Sequence, residues 1–224
     1  MTYLRAINFL IAFLFTILPE GLYSQRPQRF QKEVDSIIAL NQSIDKSNLI
    51  LFTGSSSIRL WKDLKSTFSR DNVVGLGFGG SEMSDLLYYT DKLIIPFKPV
   101  QVFIYEGDND ISLGRTSDQI LFTADSILRI ISTKLPQTDV VFISPKPSLK
   151  RWHLREQYEA FNAQLKAWTL TKKNTLYADV WTPMLRSDGM VKKDIFIDDA
   201  LHLNDNGYAI WAGALKKYIK NPRK

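Results

Sequence analysis

The sequence has no cysteine among its 224 residues. A thiolate nucleophile, a disulfide, a cysteine-held metal and a lipid anchor on cysteine are therefore all excluded. Histidine is nearly as scarce, with only His153 and His202. His153 lies in the basic stretch KRWHLREQ, which predicts an exposed helix start. A reaction that needs a histidine would therefore use His202.

Several widespread motifs are also missing. No Gly-x-Ser-x-Gly is present, which disfavours an ordinary α/β-hydrolase. The glycines at 77–80 lack the spacing of a dinucleotide site, and GDND at 107–110 lacks the rest of an EF-hand loop. Basic residues outnumber acidic ones, 29 to 23, but none of their runs is interleaved with aromatics as in nucleic-acid-binding proteins. We expect no metal and no nucleic-acid partner.

Residues 1–24 resemble a secretory signal peptide. Arg5 precedes an apolar run from Ala6 to Leu18, and small or polar residues follow up to Ser24. This run is shorter than the roughly 20 apolar residues that a membrane span needs, although an uncleaved N-terminal anchor is an alternative. We expect a secreted or periplasmic protein without stable membrane insertion, in which residues 25–224 form a single domain.

Short apolar runs alternate with amphipathic ones along the rest of the chain. A first helix is predicted over about 28–43. Strands are predicted over 48–53, 72–77, 100–107, 139–144 and 174–180. Further helices are predicted over about 58–69, 82–95, 117–134, 154–171 and 205–219. This order predicts an α/β fold with three α/β/α layers around a central, mostly parallel five-stranded sheet.

Polar or glycine-rich stretches follow the first three predicted strands and precede the last helix. They are Gly54-Ser55-Ser56-Ser57, GFGGSEM at 77–83, EGDND at 106–110 and DDALHLNDNGY at 198–208. In an open parallel sheet the site lies beyond the carboxyl ends of the strands, where these stretches would meet. Trp61, Tyr105, Glu106 and Trp152 are candidates for the lining or rim of that cleft, although ordinary packing or surface placement explains each of them at least as well.

Asp199 and His202 are spaced so that a carboxylate can hold one imidazole nitrogen while the other takes a proton from serine. Taken alone, DxxH is more often a capped loop with an incidental histidine. The serine block is equally weak alone, because serine is a common helix N-cap. The order of all four blocks along the chain is more specific than any one of them.

In that order the chain resembles the SGNH (GDSL-type) hydrolase superfamily from about residue 48 to 218. It is most similar to the platelet-activating-factor acetylhydrolase-like and bacterial acylhydrolase branches, through GSSSIRLW, GFGGSEMSDLLYY, YEGDNDIS and LHLNDNGYAIWA. The resemblance implies a flavodoxin-like α/β/α fold and ester hydrolysis without a cofactor.

The family's site residues match five positions of this chain. The nucleophile matches Ser56, the base His202 and its carboxylate partner Asp199. The oxyanion hole matches the backbone N–H groups of Ser56 and Gly80 together with the side chain of Asn109.

The chain also departs from the family pattern. Ser55 and Ser81 replace aspartates of the family blocks. Ser55 or Ser57 as the nucleophile and Asp198 as the carboxylate therefore remain alternatives.

These matches lead to a functional hypothesis. The chain is expected to be a secreted serine esterase that hydrolyses small acyl esters, above all acetyl esters, of a carbohydrate or lipid. An acyltransferase acting on glycans would use the same residues. A non-catalytic carbohydrate-binding module on the same scaffold is a third possibility, and it predicts the loss of site positions that are all present here.

Overall fold

The computed structural model describes residues 27–68 and 72–220. The predicted signal peptide, residues 1–24, lies outside these ranges. Five strands form one parallel sheet: β1 (Ile50–Gly54), β2 (Val73–Gly77), β3 (Gln101–Tyr105), β4 (Asp139–Ile143) and β5 (Thr175–Ala178). Their order across the sheet is β2-β1-β3-β4-β5, and every neighbouring pair is parallel. The predicted α/β fold is confirmed.

Eight α-helices precede, connect or follow the strands within the described residues. They are α1 (Gln31–Asn41), α2 (Ser56–Arg59), α3 (Leu64–Thr67), α4 (Met83–Leu93), α5 (Asp108–Ser112), α6 (Ser117–Lys134), α7 (Arg155–Leu170) and α8 (Asp205–Leu215). Short 3₁₀ turns cover Pro27–Phe30, Ile95–Phe97, Trp152–Leu154, Thr182–Met184 and Lys216–Tyr218. None of the helices in the described ranges has the length and apolar character needed to cross a bilayer.

The sheet separates two apolar layers because alternate strand residues point to opposite faces. On β3, Val102 and Ile104 pack into the layer that contains the buried faces of α4, α6 and α7. Phe103 and Tyr105 pack into the other layer, with Trp61 and Trp211. The strands are therefore buried on both sides, as their unbroken apolar runs predict.

The predicted helix over 58–69 is wrong in one respect. The segment forms two one-turn helices, α2 and α3, separated at Trp61. The bend accompanies the burial of Trp61, which stacks on Tyr208 at 5.1 Å and meets Trp211 edge-on at 5.8 Å. Burial of a large aromatic ring outweighs the continuation of a short helix.

Gly54, the last residue of β1, has a contact that no other residue type could make. Its φ is +122°, and a Cβ atom there would lie 2.0 Å from the carbonyl oxygen of Tyr105. The Ser55 N–H donates to that same carbonyl at 3.1 Å. The absence of a side chain at position 54 therefore lets the end of β1 lie directly against the end of β3.

We predict that Gly54→Ala lowers the free energy of unfolding by roughly 2–4 kcal/mol, from backbone strain and overpacking together. Gly213→Ala is the matched control, because Gly213 is exposed inside α8 and an added Cβ atom would meet no neighbouring group within 4 Å. It should stabilise the protein by about 0.5–1 kcal/mol. Urea unfolding measures both, and equal midpoints for Gly54→Ala and the unmodified protein would contradict the close contact.

Candidate active site

Three consecutive serines follow β1, and they differ in backbone position and in burial. Ser55 is extended and buried at the N-cap of α2, Ser56 begins that helix, and Ser57 is buried inside it. Of the three, only Ser56 is partly accessible to solvent. The first N–H groups of a helix have no partner within the helix, so the Ser56 N–H is available to a ligand.

The structure brings Ser56 and His202 together across 146 positions of sequence. Ser56 Oγ lies 2.9 Å from His202 Nε2, and His202 Nδ1 lies 2.5 Å from Asp199 Oδ2. Because a carboxylate can only accept, it holds the imidazole proton on Nδ1. Nε2 is then left with a lone pair that accepts the serine hydroxyl.

The loop before α8 fixes the carboxylate as well as the imidazole. Asp199 Oδ1 accepts the backbone N–H groups of Leu201 and His202 at 2.9 and 2.8 Å. Partial burial alone would raise the pKa of Asp199, but these bonds and the one from the His202 side chain outweigh it and lower that pKa to about 2. Asp199 is therefore ionised throughout the neutral range, whereas the adjacent Asp198 is exposed.

Asn109 and Gly80 are joined through Ser81. Asn109 Nδ2 donates to the Ser81 carbonyl at 2.9 Å, and Ser81 Oγ donates to the buried Glu106 at 2.6 Å. Gly80 precedes Ser81, is exposed and has a φ of +54°. The hydroxyl of Ser81 suits this place, because the aspartate of the family pattern would set a second carboxyl against Glu106.

Burial raises the pKa of two carboxyls under the Gly80 loop. Burial raises the pKa of Glu106 well above its usual range, and the nearby charge of Asp110 adds to the effect. Burial likewise raises the pKa of Asp110 to about 7, although its carboxylate accepts the N–H groups of Met83 and Gly107. Both groups brace the loop and, because burial disfavours their charged forms, are less ionised near neutral pH than exposed carboxyls would be.

Asp108, between Gly107 and Asn109, is also buried, but its pKa is shifted in the opposite direction to those of Glu106 and Asp110. Lys146 Nζ lies 3.1 Å from Oδ2, while Arg151 Nη1 and the Tyr158 hydroxyl lie 2.5 Å from Oδ1. Burial alone would raise the pKa of Asp108, but Lys146 and Arg151 outweigh it and hold that pKa well below its usual range. The carboxylates of the GDND stretch thus bind cationic side chains and backbone N–H groups.

A family model described as the GDSL-like Lipase/Acylhydrolase family matches residues 35–210. The chain belongs to this family. Platelet-activating factor acetylhydrolase IB subunit alpha2 from Gallus gallus is 28% identical over 174 residues, which are 74% of this chain and 73% of that protein. The membership confirms the resemblance drawn from the four sequence blocks, and it makes this protein an esterase or acylhydrolase.

Solved structures of low sequence identity share the fold. A GDSL-like lipase from Bacteroides thetaiotaomicron superposes with a TM-score of 0.70 at 19% identity, over 87% of this chain and 97% of that one. A catalytic mutant of an acetylxylan esterase from Geobacillus stearothermophilus superposes with a TM-score of 0.64 at 16% identity, over 79% of this chain and 95% of that one.

The four candidate rim residues have other places in this GDSL fold. Trp61, Tyr105 and Glu106 are 4%, 0% and 2% exposed, so all three belong to the interior. Trp152 is half-buried and stacks on Trp181 at 6.1 Å. The packing interpretation is therefore the better one for each, although an edge of Trp61 lines a neighbouring cavity.

That cavity has a volume of about 830 Å³ and lies between the residues after α2 and the first turns of α8. Leu60 and Leu203 line it and lie close in sequence to Ser56 and His202, but neither of the latter two residues is part of its lining. Its lining mixes apolar side chains such as Ile197 with charged ones such as Asp63.

Sequence reasoning missed Lys146 and Arg151. The basic stretch that contains Arg151 predicts an exposed helix start, yet the Lys146 and Arg151 side chains are only 1% and 16% exposed. The signal that could have found them is their position. Both follow β4, and the loops after parallel strands face the site.

The raised pKa of Asp110 makes stability depend on pH. The folded protein keeps this proton up to about pH 7, whereas the unfolded chain releases it near the ordinary aspartate value of 3.8. The contribution of the protonated Asp110 carboxyl to the free energy of unfolding is therefore full below about pH 4 and is lost as pH rises through 7.

The side chain of Asp110→Asn cannot ionise. We predict that the free energy of unfolding of this variant, relative to that of the unmodified protein, rises by roughly 2 kcal/mol from pH 5 to pH 8. Urea unfolding of both proteins at the two pH values measures this change. A difference in stability that stays constant between pH 5 and pH 8 would show that Asp110 is ionised in the folded protein at both.

Proposed function

We propose that this chain is a secreted serine esterase that removes small acyl groups, chiefly acetyl, from esters of a carbohydrate or lipid. The observation that carries the proposal is the chain of contacts from Ser56 Oγ through His202 to Asp199, at 2.9 and 2.5 Å. In this arrangement a neutral imidazole removes the serine proton during attack on an ester carbonyl.

The reaction follows from these contacts. Ser56 Oγ bonds to the carbonyl carbon, its proton passes to His202 Nε2, and the carbonyl oxygen becomes an oxyanion. His202 then protonates the departing alcohol. Water then attacks the carbonyl carbon of the acyl-serine while His202 takes its proton. His202 returns the proton to Ser56 Oγ, which leaves as the acid is released. Asp199 stabilises the imidazolium in both halves of the reaction.

The oxyanion needs donors that are in place before the reaction. We assign this role to the N–H groups of Ser56 and Gly80 and to the free N–H of the Asn109 amide. The first two are backbone donors with no side-chain freedom to lose. Asn109 is held by Ser81, and a neutral amide donates at any pH.

Two observations favour small acyl groups. Two relatives of this chain carry names that refer to acetyl groups, an acetylhydrolase and an acetylxylan esterase. Within the described ranges, the connections around the Ser56–His202 pair are short, with no large insertion that would build a deep acyl channel. The signal-like sequence of residues 1–24 supports the assignment to the exterior or periplasm.

The protein expressed from Gln25 should hydrolyse p-nitrophenyl acetate faster than the butyrate and octanoate esters. Ser56→Ala and His202→Ala should each lower kcat for the acetate at least about 10³-fold. Ser55→Ala and Ser57→Ala are the matched controls and should keep activity within about tenfold, because both residues are buried and the His202 contact is made by Ser56.

Activity that survives in Ser56→Ala would move the nucleophile to Ser55 or Ser57. A folded wild type that is inactive on all three esters would favour an acyltransferase or a binding module instead.

Asp199→Asn should lower kcat by about 10²–10⁴-fold, because an amide does not stabilise the imidazolium and can hold the ring in the wrong tautomer. Asp198→Asn is the control in the adjacent position and should leave kcat near the wild-type value. Steady-state kinetics on p-nitrophenyl acetate compares the two, and a larger loss in Asp198→Asn would reverse the assignment of the carboxylate.

A further inference from the structure

The Asn109 side chain is held between two partners that leave it only one orientation. Arg151 Nη2 donates to Asn109 Oδ1 at 3.0 Å, while Asn109 Nδ2 donates to the Ser81 carbonyl at 2.9 Å. A guanidinium can only donate and a carbonyl can only accept, so a flipped amide would face a repulsive partner on each side. One N–H of the amide remains, and its direction is fixed by the other two bonds.

Arg151 is itself held in place. Its Nη1 donates to the Asp108 carbonyl at 3.0 Å and to Asp108 Oδ1 at 2.5 Å. The Tyr158 hydroxyl donates to the same two oxygens at 3.0 and 2.5 Å. Since Asp108 precedes Asn109 in α5, the guanidinium spans two consecutive residues and fixes backbone and side chain together.

The charges in this cluster do not cancel. Lys146 also binds Asp108, so two cations face one carboxylate in a buried setting. Glu106 adds little compensation, because burial raises its pKa well above the usual range. A net positive charge therefore lies behind the carbonyl end of the Asn109 amide, where it polarises the amide and strengthens its N–H as a donor.

We propose that Arg151 is a positioning residue for ester hydrolysis. It aims and polarises the free N–H of Asn109 toward the oxyanion without touching the substrate. The inference rests on the proposed function, because it requires Asn109 to act in the oxyanion hole. It predicts an effect on kcat rather than on substrate binding, since the oxyanion exists only after the serine attacks.

The test is a double-mutant cycle on p-nitrophenyl acetate. Arg151→Met should lower kcat by about 10–100-fold with little change in KM, somewhat less than the loss of a whole donor. In the Asn109→Ala background the same substitution should change kcat less than about threefold, because the group through which it acts is gone. Arg155→Met is the matched control and should not affect kcat, since Arg155 binds Glu159 on the surface of α7.

Arg151→Lys keeps a positive charge for Asp108 but loses the planar fork that reaches Asn109 as well. It should lower kcat without unfolding the protein, and it replaces Arg151→Met in the cycle if that variant does not fold. Thermal unfolding of each variant separates a loss of structure from a loss of rate.

Each outcome has a distinct meaning. If Arg151→Met lowers kcat equally with and without Asn109, or mainly raises KM, Arg151 acts on the substrate or the fold and the inference is wrong. If Asn109→Ala lowers kcat but neither Arg151 variant does, the inference is wrong and the proposed function stands. If Asn109→Ala has no effect, the proposed oxyanion hole itself fails.

Discussion

The contact between Gly54 and Tyr105 at the carboxyl edge of the sheet is the constraint on which the site depends. It sets the ends of β1 and β3 side by side, and the Gly54 carbonyl also accepts the Phe78 N–H from the segment after β2. The three loops that carry Ser56, Gly80 and Asn109 therefore begin from one hydrogen-bonded junction. The loop that carries His202 completes the site, and the turn at Asp199 sets its position.

Around that junction, the buried carboxyl groups differ in the direction of their pKa shifts. Burial raises the pKa values of Glu106 and Asp110, the carboxyls under the Gly80 loop, so that both are less ionised than exposed carboxyls. Asp108 stays ionised because Lys146 and Arg151 face it and the Tyr158 hydroxyl donates to it. The outcome is a site region with positive rather than negative charge behind Asn109. That sign suits a reaction whose intermediate gains a negative oxygen.

Much of this can be read from the sequence, for physical reasons that differ between elements. The strands are buried on both faces, so their apolar runs are visible without any knowledge of their neighbours. Ser56, Asn109 and His202 stand out because the order of the four blocks is specific, whereas each block alone is weak. The break at Trp61 cannot be read, because the rings that bury it, Tyr208 and Trp211, lie about 150 positions away.

Arg151 shows the same limit in the site itself. A basic stretch on the surface and a basic stretch folded onto Asp108 have the same composition, and only the tertiary structure distinguishes them. Tyr105 and Glu106 show the opposite case. Their positions at the end of β3 predict side chains at the rim of a cleft, but both side chains are buried.

The identity of the activated serine is tested most directly by the site of covalent modification with an organophosphorus ester such as paraoxon. Trypsin would release residues 47–59, which hold Ser55, Ser56 and Ser57 together, and fragment-ion mass spectrometry would locate the phosphoryl group. The Ser56–His202 contact predicts one adduct, on Ser56, and none when His202 is replaced by alanine. An adduct on Ser55 or Ser57, or on Ser56 at an undiminished rate without His202, would contradict the assignment of Ser56 as the nucleophile.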